Sequence, residues 1–255
     1  MLKRNRVFAG ALLAFALIGS QTARADDEKP VSLLIAPKVG QVKHIKTTIK
    51  TNAAGMDLTV TQSQKFTIKE LKANGDVVFE IADEGTVVNV GGQEMEQPPS
   101  PPRSVTRDKI GKVKEINVDE AAQFMAPEVT KIMAGLSAAI LTEKAVKTND
   151  TWQTELENPA VKEKKITVKG TYLGLDKVEG MDYWKIKQTA EAIVDANGGK
   201  MSYDITQWIN PTTGDVLKTE GTIKDVPTQI GQLTMQLSSK AVKVEEKAKS
   251  EAAKP

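Results

Sequence analysis

The chain has 255 residues, 40% hydrophobic and 27% charged, with one histidine, no cysteine and a formal net charge of +2. Without cysteine and with a single histidine, disulfides and the usual zinc sites are excluded. Residues 1–25 carry four basic residues and no acidic one, so 31 basic residues face 33 acidic ones in the remainder, a net −2 that leaves no electrostatic footprint for nucleic acid.

Residues 1–25 read as a secretory signal peptide. Lys3, Arg4 and Arg6 precede the apolar run Val7–Ile18, and Ala23-Arg24-Ala25 forms a small-residue cleavage site. The run is too short to span a bilayer. The protein is therefore expected in the periplasm or outside the cell, with no membrane span after cleavage. Residues 26–244 are expected to form one β-rich domain, because a chain of that length can bury a full core.

The first meander is predicted over 39–118. Val31–Ala36 is apolar and is expected to add an edge strand. Ile45, Thr47, Ile49 and Thr51 alternate with lysines and threonine. Leu58, Val60, Phe66 and Ile68 share one parity, with Gln62 and Gln64 between them, and the opposite parity is polar throughout. One dry and one wet face is the pattern of an antiparallel sheet. Asn74-Gly75-Asp76 is a hairpin signal, after which Val77, Phe79 and Ile81 return inward. Pro98–Pro102 cannot donate to a ladder and reads as a stiff connector. A strand pair around Gly111 follows.

A helix is predicted over 119–145. In Asp119–Leu141, Met125, Val129, Ile132, Met133, Leu136 and Ile140 recur on one face of a 3.6-residue helix. The second meander is predicted over 148–244. Ile166, Val168, Gly170 and Tyr172 alternate with polar residues, and so do Trp184, Ile186, Ala190 and Ala192. Turns are expected at Glu179–Asp182, Asn197–Gly199 and Pro211–Asp215. Residues 245–255 hold only Glu, Lys, Ala, Ser and Pro and read as a solvated tail. The halves echo each other: a polar turn closing on Gly-x-Val occurs at Gly111–Val113 and again at Gly214–Val216, as if one hairpin were used twice.

The residues speak against catalysis. His44 lies in a strand-like run among lysines, with no second metal-ligand type at metal spacing. No phosphate-binding glycine loop and no nucleophile elbow is present. An enzyme is not expected, nor a cofactor. Trp208 has the parity opposite Tyr203 and Ile205, which points it outward or to the mouth of a cavity.

Val39-Gly40 leading into Thr-rich strands, a mid-chain helix, Asp150-Thr151-Trp152, Gly170-Thr171-Tyr172-Leu173-Gly174 and Thr213-Gly214-Asp215-Val216 together resemble a group of exported bacterial proteins of unknown function. Asn149 stands where that group has glycine. At fold level the layout is similar to lipoprotein carriers of the LolA type, which implies a curved antiparallel sheet cupping an apolar ligand under helices.

These readings converge on an α+β fold: a curved, mostly antiparallel sheet of about ten strands, half-barrel-like, in two related meanders covered by one central helix. The expected function is to hold an apolar ligand, lipid-like or lipoprotein-like, between helix and sheet. The residues expected to line it are Met125, Val129, Ile132, Met133, Leu136, Ile140 and Trp208. The alternative is a structural or assembly module whose partner is an envelope protein.

Overall fold

A computed structural model describes residues 29–34, 36–117 and 125–242. The expected signal segment 1–25, the tail 245–255 and the first part of the expected helix, 119–124, lie outside these residues.

Period-two patterning carries through into long strands. In chain order they are β1 (Val42–Ala53), β2 (Met56–Leu71), β3 (Val77–Val90), β4 (Gln93–Gln97), β5 (Arg103–Arg107) and β6 (Val113–Ile116), then helix α1 (Pro127–Ser137), then β7 (Thr151–Leu156), β8 (Ile166–Val178), β9 (Met181–Ile193), β10 (Lys200–Ile209), β11 (Val216–Thr228) and β12 (Gly231–Val242). All twelve belong to one open sheet in the order β6-β5-β3-β2-β1-β12-β11-β10-β9-β8-β7, with β4 paired to β3 beside this path. Every pairing is antiparallel. The count exceeds the expected ten partly because of β4. Its five residues are all exposed, so no dry parity marked it as a strand. Among the described residues of the expected edge strand 31–36 there is no strand: Val31 makes a single bridge to Val146, and Leu33 is fully buried.

Turns form where side chains can satisfy the backbone. Asn74 Oδ1 accepts from Asp76 N across the β2–β3 turn. The two echoed hairpins share one device. Asp108 Oδ1 accepts from the amides of Ile110 and Lys112, and Asn210 Oδ1 from those of Thr212 and Thr213. Asn149 has φ +71°, a region that asparagine enters more easily than most residues and glycine freely, which accounts for Asn at that place.

The helix is shorter than predicted. Pro127 occupies its first turn, where the missing N–H costs nothing. It ends at Ser137, and Ala138 is already extended at φ −70°, ψ 144°. Residues 138–141 are therefore a strap and not a last helical turn. The reason lies in the sheet beneath. Gln188 Nε2 donates to Ala138 O at 3.1 Å, and Gln188 Oε1 accepts from Ile140 N at 2.6 Å. Gln207 Nε2 donates to Ser137 O at 3.1 Å, and Trp152 Nε1 to Ile140 O at 3.3 Å. These partners take backbone groups that a longer helix would need for itself. On its far side the strap donates from Leu141 N to Ile110 O, and a Cβ on Gly111 would stand 2.0 Å from Ala139 O.

The core is built on one face of β8–β12. A first cluster joins Val129, Ile132, Leu136 and Ile140 to Leu156, Ile166, Val168, Ala192, Met201, Tyr203, Ile205, Ile223 and Met235. A second joins Leu33, Leu141 and Val146 to Tyr172, Trp184, Ile186 and Ile209.

Candidate functional site

Residues paired directly across a ladder project from the same face, so the registers trace the helix-bearing inner face over the whole sheet. From β12 it passes through Leu237 to Ile49, then to Val60 and Val88. One level along, Lys43 pairs with Phe66, Phe66 with Ile81 and Ile81 with Arg103. The same face therefore contains both the closed core of β8–β12 and a second floor on β1–β3.

The two floors differ in cover. Under the helix the packing is tight: Val129 and Ile132 are 2% exposed, Leu136 1% and Ile140 0%. Met125 and Met133 pack against this cluster but stay partly exposed. On β1–β3, Ile45, Ile49, Leu58, Val60, Phe66, Phe79, Val88 and Val90 are all only half-buried. A polar band of Thr47, Gln62 and Thr86 crosses this floor in register, dividing it into two apolar ends.

The curl of the sheet brings its two edges to the helix. Val113–Ile116 of β6, Leu156 at the end of β7 and Glu157 and Pro159 just after it line, with Lys131, Ile132 and Gly135 of α1, an open cleft of about 360 Å³. A larger depression of about 620 Å³ lies on the outer face and is lined mainly by Thr167, Lys169, Thr189, Ser202, Asp204 and Lys224. Its polar lining and shallow form make it a poor apolar site.

Two cations stand on the inner face at one end of β1–β3. Lys43 shares the parity of Ile45 and Ile49. Burial pushes its pKa down to about 8, with Asp215 acting to raise it and Arg107 to lower it further. Protein atoms crowd the ammonium, while the residue as a whole keeps partial solvent contact. Burial alone brings Arg107 down to about 10. Its guanidinium lies 5.0 Å over the Phe79 ring, and its Nε is buried without a hydrogen-bond partner among the described residues. Among the described residues no carboxylate forms a salt bridge with either cation. Asp215 is engaged elsewhere, accepting from Gln41 Nε2 at 2.7 Å and Thr213 Oγ1 at 2.8 Å.

Of the residues expected to line the site, the helix and strap set come together on the inner face. Trp208 does not join them. It sits on the outer face, as its parity predicted, between its ladder neighbours Lys185 and Lys218. Both ammonium groups lie over the indole, at 5.2 and 4.4 Å, and their stems leave it 6% exposed. Trp208 Nε1 donates to Asp176 Oδ2 at 2.8 Å; that bond, and then Lys185, hold the Asp176 carboxyl below the usual range. His44 is on the outer face too, with Nδ1 2.8 Å from Glu84 Oε2. Among the described residues no three acidic or histidine side chains converge as a metal site.

Lys43, Arg107, Gln188 and Gln207 were missed in the sequence. Each is a polar residue at a dry parity, Lys43 beside Ile45 and Gln188 between Ile186 and Ala190. That signal is visible in the alternation once such departures are sought.

No family model and no curated relative matches this chain. Among solved structures it is similar to lipovitellin, described for its lipid–protein interactions, at 9% identity and a TM-score of 0.45 over 81% of this chain; it spans 25% of lipovitellin's length. It is also similar to the hypothetical lipoprotein YmcC from Escherichia coli K12, at 10% identity and a TM-score of 0.31, over 78% of this chain and 85% of that one. A domain from Vibrio parahaemolyticus described as an outer membrane lipoprotein-sorting protein aligns at 11% identity and a TM-score of 0.23, over 82% and 89% of the two chains. What this chain binds rests on its own residues.

Proposed function

We propose that this is an exported, non-catalytic binding protein that holds an apolar molecule between helix α1 and the curved sheet. The supporting observation is the inner face itself: it is dry and closed over β8–β12, whereas over β1–β3 Ile45, Ile49, Val60, Phe66 and Phe79 keep partial solvent contact beside the buried Ile68 and Ile81. A soluble domain seldom leaves so much apolar surface facing its own concavity without an occupant. In this reading the floor is Ile45, Ile49, Val60 and Phe66. The wall is α1, with Met125 and Met133 toward the ligand, and Val129, Ile132, Leu136 and Ile140 fixing the wall to the sheet. Trp208 contributes from the outer face only, by stiffening β9–β11.

Native mass spectrometry of protein purified from its own host without detergent tests the proposal. A co-purifying lipid-like mass is expected, and it is lost in a folded Phe66→Glu variant. A protein that carries no ligand and binds none on exposure to lipid vesicles overturns it. The rival occupant, an envelope protein, is favoured by β4, which pairs with β3 alone among the described strands and whose five residues are all exposed. A single cross-linked protein neighbour with no bound ligand would establish that rival instead.

A further inference from the structure

The floor of β1–β3 is apolar at both ends, but only one end carries charge. There, Lys43 is directly paired with Phe66, and Arg107 lies over Phe79, which is directly paired with Ile68. Phe66, Ile68, Phe79 and Ile81 thus form an apolar patch with a cation at either side. We propose that Lys43 and Arg107 form the headgroup site of this binding face, so that the ligand is an acidic amphiphile: an acyl chain ending in a carboxylate.

The inference rests on the binding function proposed above and specifies its ligand. Its physical basis is the cost of removing a cation from water, which is several kcal/mol in proteins and is recovered only through an opposite charge with good hydrogen bonds. Arg107 recovers part of that cost by stacking on Phe79, but the buried Nε is left without an acceptor. Lys43 has a single acidic neighbour, and that carboxylate is held by Gln41 and Thr213. An arriving carboxylate would supply the acceptor that Arg107 Nε lacks and, for Lys43, a direct ion pair beside the already engaged Asp215.

The geometry also provides for the chain. From Lys43 the inner parity of β1 runs through Ile45 and Thr47 to Ile49, and six residues of strand rise about 20 Å, the reach of a long acyl chain. Ile49 packs against the cluster under the helix, so the chain would run from the charged end toward α1.

The test compares hexadecanoate with its methyl ester, which has the same chain without the charge. The wild-type protein is expected to bind the acid at least about tenfold more tightly, the worth of one charge-assisted hydrogen bond. Lys43→Met and Arg107→Met should each reduce that preference to about twofold or less, and Lys43→Arg should retain it. Circular dichroism confirms that each variant is folded. Equal wild-type affinity for acid and ester overturns the headgroup site but leaves the apolar-ligand function standing. Loss of preference in Lys43→Arg as large as in Lys43→Met overturns the role of charge. Binding of neither compound removes both the site and the function on which it rests.

Discussion

The two meanders share one sheet and one inner face, yet they use that face in opposite ways. In β8–β12 it is consumed: the helix and the strap cover it, and Ile186, Ile205 and Ile209 are fully buried. In β1–β3 it carries a similar alternation of Ile, Val and Phe, but most of those side chains keep partial solvent contact, and Lys43 and the neighbouring Arg107 of β5 stand beside them with no salt bridge among the described residues. The difference follows from the length of the cover. One helix of 11 residues and a short strap can close one half of a twelve-stranded sheet but not both. What an identical strand pattern does therefore depends on whether anything lies over it.

The sharpest way to break this contrast is to truncate matched residues in the two halves. Ile205→Ala, in the closed half, should cost about 3 kcal/mol, and Ile45→Ala, in the open half, about 1 kcal/mol, measured by chemical denaturation. Equal costs would mean that the floor on β1–β3 is as well packed as the core on β8–β12.

The strap comes next. Gln188→Ala orphans Ile140 N and Ala138 O in a buried place and should cost about 2–3 kcal/mol. The inner-face Gln64, whose side chain makes no such bonds to the strap, should tolerate alanine at a cost below about 1 kcal/mol.

Lys43→Met should act in the other direction and stabilise the ligand-free protein by about 1–2 kcal/mol, because it removes a desolvated charge. The sign with pH is fixed by the direction of the shift. The folded value of about 8 lies below the ordinary 10.5, so between these values the unfolded chain binds more protons and wild-type stability rises with pH. Below about pH 8 the penalty is present in full. The advantage of Lys43→Met should therefore be constant below pH 8 and shrink from pH 8 to 10, with Arg107 and Asp215 as the charged neighbours common to both proteins. An advantage unchanged across that range would show that Lys43 is not desolvated.

The smallest effect is expected on the outer face. Trp208→Phe loses the bond to Asp176 and part of the attraction to two lysines, and should cost about 1 kcal/mol in stability while leaving ligand binding untouched. A loss of binding in this variant would place Trp208 in the site after all.

Much of the architecture was legible in the chain. Strand parity, the hairpins at Asn74–Asp76 and Asn210–Asp215, and the outward face of Trp208 all follow from period two and from turn chemistry that acts over four or five residues. The helix was legible in kind but not in extent. Ile140 continues the 3.6-residue pattern and is fully buried, yet it lies in an extended strap, because two glutamines about fifty and seventy residues away in sequence capture its backbone and that of its neighbours. No local pattern reports such a partner. The helix residues read as a ligand wall were found for the same reason that makes them core: an apolar stripe states that a face will be buried, not by what.

The sequence by itself therefore determined the β-rich, one-helix layout and the dry parity of each strand, since these depend on backbone geometry and on contacts between near neighbours in the chain. Only the tertiary structure decided which dry surface is filled and which is left open, where the helix stops, and that Lys43 and Arg107 flank one apolar patch. Those outcomes depend on the curl of the whole sheet, which sets distances between residues far apart in the chain and so sets the cost of every charge and apolar group between them.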